Sequence, residues 1–362
     1  MSRSAATPSS RRKAINGERS PERSANTHPS SRSSGSVTLS DVAKLAGVSP
    51  ITVSRVLNRP ELVLPETIEI VREAIARTGY VPNMLAGGLA SKRSRLVAAI
   101  FPTIANSMFA ETMEALTDRL GEAGYQVLLG LAGYPATRED DLLEAILSRR
   151  PDGILLTGII HSPATRQKLL AAKIPVVEIW DYTPTPIDML VGFSHGKVGE
   201  AVADFLVGKG YRRITLIGAD DDRATQRQKG FLSALARHGI NDVRTIKVPA
   251  PGSLQTGREG MARLLDDSYR PDAIFCSSDA LAQGVLAEVQ SRGMSIPEDV
   301  AVMGFGDLSF AAYTFPALTT VRIDRRAIGR IAADAMLARM DGRADVEKVI
   351  DVGFEVIERA ST

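Results

Sequence analysis

The chain has 362 residues, 44% hydrophobic and 24% charged, with one cysteine and a formal net charge of +2, which suits two or three compact globular units rather than a fibrous or disordered protein. No stretch approaches the ~20 apolar residues needed to cross a bilayer, the basic, serine-rich N-terminus lacks the apolar core of a secretory signal, and Cys276 has no intrachain partner, so a reducing cytoplasm is expected. The charge is uneven: residues 1–95 sum to +8 and residues 96–362 to −6, so only the front of the chain is suited to a polyanion.

Residues 1–36 carry a net +5 and no apolar period, and are expected to be a disordered basic tail. Order is expected from Val37. Ser40 suits the N-cap of a first helix whose buried face would be Val42, Ala43, Leu45 and Ala46, with Gly47 taking a tight bend. Ser49 suits the cap of a second helix, with Pro50 at its first position, where a missing N–H costs nothing. A third helix follows Pro65, with Ile68, Val71, Ile75 and Thr78 at helical spacing and Gly79 as its stop. Residues 37–81 thus form a small all-α helix-turn-helix domain, and residues 82–95 a linker.

Past Ser91 short apolar runs alternate with helix-length segments: Leu96–Phe101, Gln126–Leu129, Gly153–Thr157, Pro175–Ile179, Arg213–Ile217, Ala273–Cys276 and Val300–Phe305. Continuous apolar strands separated by amphipathic helices indicate parallel sheets buried on both faces. Seven such units exceed one ordinary open sheet, so residues 96–362 are expected to be an α/β body of two doubly wound lobes with a cleft between them.

In Leu39–Asn58 each residue type has a mechanical reason. Ala43 must be small where the second helix crosses it, Gly47 turns, Val48 fills the gap, and Val53 packs back on the first helix. Ser49, Pro50, Ile51, Thr52, Ser54, Arg55 and Asn58 are left on a helix sized for the major groove, where Arg55 suits guanine in bidentate fashion. Thr52, Ser54 and Asn58 suit phosphate or base contacts.

This segment resembles the lactose/galactose-repressor family, and the resemblance continues from residue 37 to the end. Gly79-Tyr-Val-Pro-Asn-Met-Leu-Ala-Gly-Gly-Leu-Ala90 resembles that family's hinge, which implies a DNA contact at Asn83 and places Leu89 as the leucine wedged into the minor groove. Gly87 and Gly88 stand where many relatives carry polar or basic side chains, and they disfavour a helix in the free hinge. Asn106-Ser-Met-Phe109, Gln226-Arg-Gln-Lys-Gly-Phe231 and Phe275-Cys-Ser-Ser-Asp-Ala-Leu-Ala-Gln-Gly284 resemble the family's ligand-binding elements. The runs Pro175–Asp181, Gly130–Tyr134, Val191–Ser194 and Val352-Gly-Phe look most like its gluconate-utilisation repressors.

The resemblance implies a periplasmic-binding-protein-like body that holds a small effector between its lobes, with Asn106, Phe109, Trp180, Asp181, Phe193, Ser194, His195, Arg227 and Asp279 as candidate contacts. Arg227 would receive a carboxylate and Asp279 would bind hydroxyls. An ion pair of Arg227 with Asp220–Asp222 and a helix-cap role for Asp279 are the plainer alternatives. The implied function is a repressor of sugar-acid utilisation, freed from operator DNA by gluconate. Another sugar or sugar phosphate is the alternative effector. A homodimer is expected, because two-fold operators mirror two-fold proteins, and the ending Val356–Thr362 lacks the leucine heptads of the family's tetramers.

Rival readings are weaker. Gly192-Phe-Ser-His-Gly196 matches a nucleophile elbow, but the only later histidine, His238, stands at a helix end, and no acid–base set can be assembled. His28, His161, His195 and His238 show no metal-ligand spacing, and Asp220–Asp222 reads as a solvated loop. No nucleotide-binding loop is present. Neither an enzyme, a cofactor, a metal nor a membrane is therefore expected. A transport-type sugar-binding protein would share the body but not the helix-turn-helix.

Overall fold

The computed structural model describes residues 37–81, 93–105, 107–134, 138–267 and 269–362. The expected tail, most of the expected hinge with Asn83 and Leu89, and Asn106 lie outside the described residues. The chain divides into two compact units, Met1–Asn83 and Met84–Thr362.

In the first unit α1 (Leu39–Ala46), α2 (Pro50–Asn58) and α3 (Pro65–Thr78) pack around buried Val42, Ala43, Val53, Val56, Val71 and Ala74. Thr38, not Ser40, caps α1. Its hydroxyl receives the Asp41 N–H, and the Asp41 carboxylate accepts the Thr38 N–H at 2.9 Å. A capping box needs an acceptor three residues into the helix, and Asp41 stands there relative to Thr38. Leu45, expected inside, is exposed, because it lies off the stripe that Val42, Ala43 and Ala46 form around the helix. Gly47 takes the left-handed conformation at φ 64° that ends α1, and the Ser49 hydroxyl accepts the Thr52 N–H at 3.1 Å to start α2.

The second unit holds two parallel sheets. In the first, β1 (Leu96–Phe101), β2 (Gln126–Leu131), β3 (Gly153–Thr157), β4 (Val176–Ile179), β5 (Met189–Gly192) and β11 (Val349–Asp351) run in the order β11-β5-β4-β3-β1-β2. In the second, β6 (Ile214–Ala219), β7 (Thr245–Val248), β8 (Ala273–Cys276) and β9 (Ala301–Met303) run β7-β6-β8-β9. Strands β10 (Thr320–Arg322) and β12 (Glu355–Ile357) form an antiparallel pair.

The unbroken apolar runs follow from burial on both faces. Alternate residues of β1 divide between two cores: Val97, Ala99 and Phe101 enter one, and Ala98 and Ile100 the other. Strand β8 divides likewise, with Ala273 and Phe275 on one side and Ile274 and Cys276 on the other.

The helices between the strands are α4 (Ala110–Glu122), α5 (Glu139–Leu147), α6 (Pro163–Ala172), α7 (His195–Gly208), α8 (Asp222–Arg237), α9 (Leu254–Asp266) and α10 (Asp279–Ser291). A last helix, α11 (Arg325–Met340), returns the chain to pack on α4 and beneath β4 and β5. The lobes are therefore interleaved: the C-terminal part supplies α11 and β11 to the first sheet, which the strand rhythm did not reveal.

Candidate functional site

On the first unit, α2 presents Ile51, 65% exposed, beside exposed Pro50, Arg55 and Asn58 and half-buried Thr52 and Ser54. Ser49 and Thr52 are occupied with the helix cap and with each other, hydroxyl to hydroxyl at 2.9 Å. The Asn58 amide donates to the Ser54 carbonyl at 2.9 Å. Ile51 and Arg55 make no such bond and leave the outer face apolar at one point and cationic at another.

In the second unit each sheet reverses its strand order once, between β1 and β3 in the first and between β6 and β8 in the second. Open α/β sheets bind ligands beyond the carboxyl ends of their strands at this reversal. A cavity of about 390 Å³ lies there. Its walls are Phe101–Pro102, Ala132–Tyr134, Glu139, Thr157–Ile160 and Asp181 from the first lobe, with Asp220–Arg223, Pro249 and Ala250 from the second. A neck of about 30 Å³ continues past Tyr134, Asp221 and Arg223 to Phe109, His195, Arg227, Ser277 and Phe305. The larger volume is within the range that holds small ligands.

Of the expected contacts, Asp181 faces the cavity, and Phe109, His195 and Arg227 line the neck. The others turn elsewhere. Trp180 is 1% exposed, between Phe109 and Phe193 in edge-on contacts, and its indole N–H donates to Thr112 Oγ1 at 3.2 Å. Its left-handed backbone, φ 66°, sends Trp180 inward and leaves Asp181 toward the cavity. Phe193 is wholly buried in the same cluster. Ser194 is occupied as the N-cap of α7.

Asp279 is neither exposed to the cavity nor the cap of α10, a role Ser278 fills. Its carboxylate accepts the Leu308 N–H at 2.7 Å and the Thr320 hydroxyl at 2.5 Å. Burial pushes its pKa up to about 6 against these two bonds.

Arg227, 5% exposed, donates to Ser277 O and to His195 Nδ1, both at 2.9 Å, and its guanidinium lies 4.0 Å from the Phe305 ring centroid. No described carboxylate reaches it within ion-pair distance, so the expected alternative of a pair with Asp220–Asp222 is not formed. His195 must accept at Nδ1 and therefore donates from Nε2 to the Trp180 carbonyl at 2.9 Å. Burial and the neighbouring Arg227 hold its pKa well below the usual range, consistent with that neutral form.

Two features escaped the sequence. Arg223, one helical turn before Arg227, reaches from α8 across to the first lobe. It donates to Tyr134 Oη at 3.2 Å and lies 5.5 Å from the Phe109 ring centroid. Its i, i+4 spacing to Arg227 was the available signal.

His161 is buried between Glu139, at 2.7 Å from Nδ1, and Glu178, at 3.3 Å from Nε2, the second being a charge contact rather than an aligned hydrogen bond. Burial lowers its pKa, but the bond to Glu139 and the second carboxylate outweigh this and push it up to about 9. Asp220–Asp222 is more than a solvated loop. Asp220 pairs with Lys247 at 3.1 Å, and Asp221 caps α8.

Residues 38–83 match the family described as bacterial regulatory proteins, lacI family, and residues 203–362 match the periplasmic binding protein-like domain. The chain is 40% identical over 333 residues to the HTH-type transcriptional regulator GntR of Pseudomonas aeruginosa, covering 91% of this chain and 97% of that one. The fold is similar to a lacI-family regulator from Silicibacter pomeroyi, with TM-score 0.85, 35% identity, and 90% and 99% of the two chains covered. It is also similar to the lac repressor dimer bound to operator and the anti-inducer ONPF, with TM-score 0.78, 25% identity, and 90% and 99% covered.

Proposed function

The chain belongs to the lacI family of bacterial regulatory proteins, and we propose that it represses sugar-acid utilisation genes and leaves its operator when gluconate enters the cavity between its lobes. It is a DNA-binding transcriptional repressor and not an enzyme. Among the described residues no helix is long and apolar enough to cross a membrane, and the proposed work is done on DNA in the cytoplasm.

The observation that carries the effector reading is the cavity at the facing strand ends, where several carboxylates and an arginine meet in a space of about 390 Å³. Carboxylates suit hydroxyls, and a guanidinium suits a carboxylate. The sequence's resemblance to gluconate-utilisation repressors narrows that class. The proposed division of labour is residues 37–81 for the major groove, residues 82–95 with Asn83 and Leu89 for the minor groove, and residues 96–362 for effector and dimer. Tyr313 and Phe315, 87% and 88% exposed, give the body apolar surface for a second copy; the similar lac repressor is a dimer on its operator.

Release requires the effector to favour the non-binding arrangement by a real difference in affinity, typically ~1–3 kcal/mol. Gluconate should therefore weaken operator binding by about 5–150-fold in fluorescence anisotropy, and glucose should leave it unchanged. Release by glucose alone would refute the acid assignment.

On the DNA side, Arg55→Ala should cost ~1–3 kcal/mol of operator affinity, as for a lost bidentate base contact, with far less change on random DNA. Equal losses on both would make Arg55 a phosphate contact.

A further inference from the structure

We propose that Arg223, rather than Arg227, is the cation that receives the effector's carboxylate. The inference rests on the sugar-acid reading above and assigns its charged end. A carboxylate is gripped best by two parallel N–H groups of one guanidinium. Arg227 is already engaged and enclosed: each terminal nitrogen gives one N–H, to Ser277 O and to His195 Nδ1, the plane lies 4.0 Å from the Phe305 ring centroid, and the residue is 5% exposed. Its Nε makes no hydrogen bond, and that atom is buried.

Arg223 is the opposite case. It lines both the cavity and its neck. Its single hydrogen bond among the described residues is the one to Tyr134 Oη from Nη2. Nη1 has no acceptor and stands beside Gly158, 3.4 Å from where a Cβ there would be.

The acids around it are already engaged. Glu139 holds His161, Asp220 holds Lys247, and Asp221 caps α8. Asp181 accepts the Tyr182 N–H at 2.9 Å and the Gln226 amide at 3.2 Å. Asp222 stands at the cavity's open edge and is exposed to solvent. No described carboxylate comes within ion-pair distance of Arg223, and Asp181 and the other acids of the wall act on it only at longer range, so its guanidinium is left without a direct counter-charge and with hydroxyl acceptors around it. That is the pattern an aldonate fills, with its carboxylate on Arg223 and Tyr134 and its hydroxyls toward Asp181 and Glu139. Because Arg223 extends from the second lobe onto the first, an anion held there also ties the two lobes together.

The test compares gluconate with glucitol, which has the same carbon chain with a neutral CH2OH in place of the carboxylate. Isothermal titration of the full-length protein should show gluconate binding at least tenfold tighter than glucitol, the range of a charge-assisted bond. In Arg223→Gln that preference should vanish, with both ligands binding as glucitol does to the wild type. In Arg223→Lys it should partly return, because the point charge is kept and the fork lost. A gluconate preference that survives in Arg223→Gln overturns the assignment and leaves the sugar-acid reading standing. A wild-type protein that binds glucitol as tightly as gluconate overturns the sugar-acid reading and the assignment with it.

Discussion

Replacing His161 by leucine should destabilise the body of the protein by ~3–5 kcal/mol, because it leaves Glu139 and Glu178 facing each other, buried, without the cation between them. Water cannot take the imidazolium's place cheaply: the Glu178 side chain is 1% exposed and that of Glu139 10%. Urea denaturation of the wild type and His161→Leu would measure the loss. Adding Glu178→Gln to His161→Leu should recover part of it by removing one of the stranded charges.

The pH dependence gives a second readout. A histidine raised from 6.5 to about 9 binds its proton more tightly when folded. The stabilisation is then fully present below pH 6.5 and is lost as the pH rises through about 9. His161→Leu should lack that segment of the stability curve. An unchanged midpoint and curve would show that the triad contributes nothing.

Gly230→Val should unfold or severely weaken the second lobe. Helices α7 and α8 cross backbone to backbone: a Cβ on Gly230 would collide with the Gly196 carbonyl, and one on Gly199 with the Arg227 carbonyl. Backbone cannot swing aside as a flexible side chain can. Extra methyl groups in such a contact cost ~1–3 kcal/mol and sometimes more. Even Gly230→Ala, which gains ~1 kcal/mol of helix propensity, should come out destabilising.

Gly121 is the control. It is exposed, in the last turn of α4, with nothing near its missing Cβ, so Gly121→Ala should stabilise by about 0.5–1 kcal/mol. Thermal melts of the three variants would decide, and a stabilised Gly230→Ala would refute the crossing argument. The same crossing positions His195 and Arg227 at the neck, so loosened variants should also lose effector response.

Much of the architecture was legible because its causes are local. The runs at Leu96–Phe101, Gly153–Thr157 and Ala273–Cys276 are strands with those bounds, since a strand buried on both faces must be apolar throughout. Pro50 after Ser49 and Gly79 after Thr78 mark real helix ends. Thr38 was missed for Ser40 because both are good cap residues and they stand only two positions apart, on either side of Leu39; only the reciprocal bond with Asp41 separates them. The short strands β10, β11 and β12, three residues each, were not legible, because their partners lie far along the chain and no local period marks them.

The site divides in the same way. By itself the sequence determined the helix-turn-helix, the α/β body and the segments that line the cavity between the lobes, since motifs and periods act over a turn of helix or a single strand. It could not determine which side chains in that neighbourhood point at a ligand. Asp279 and Trp180 carry hydrogen-bonding groups that suit a sugar, yet Leu308 and Thr320 occupy one and Thr112 the other. Arg223 and Arg227 share one helix face, and only the placement of Ser277, His195 and Phe305 decides that the second is engaged and enclosed and the first left open. Those partners come from segments up to some 80 residues distant along the chain. Their convergence is a product of how the lobes pack, and a buried polar group is free for a ligand only when packing has left it without a partner.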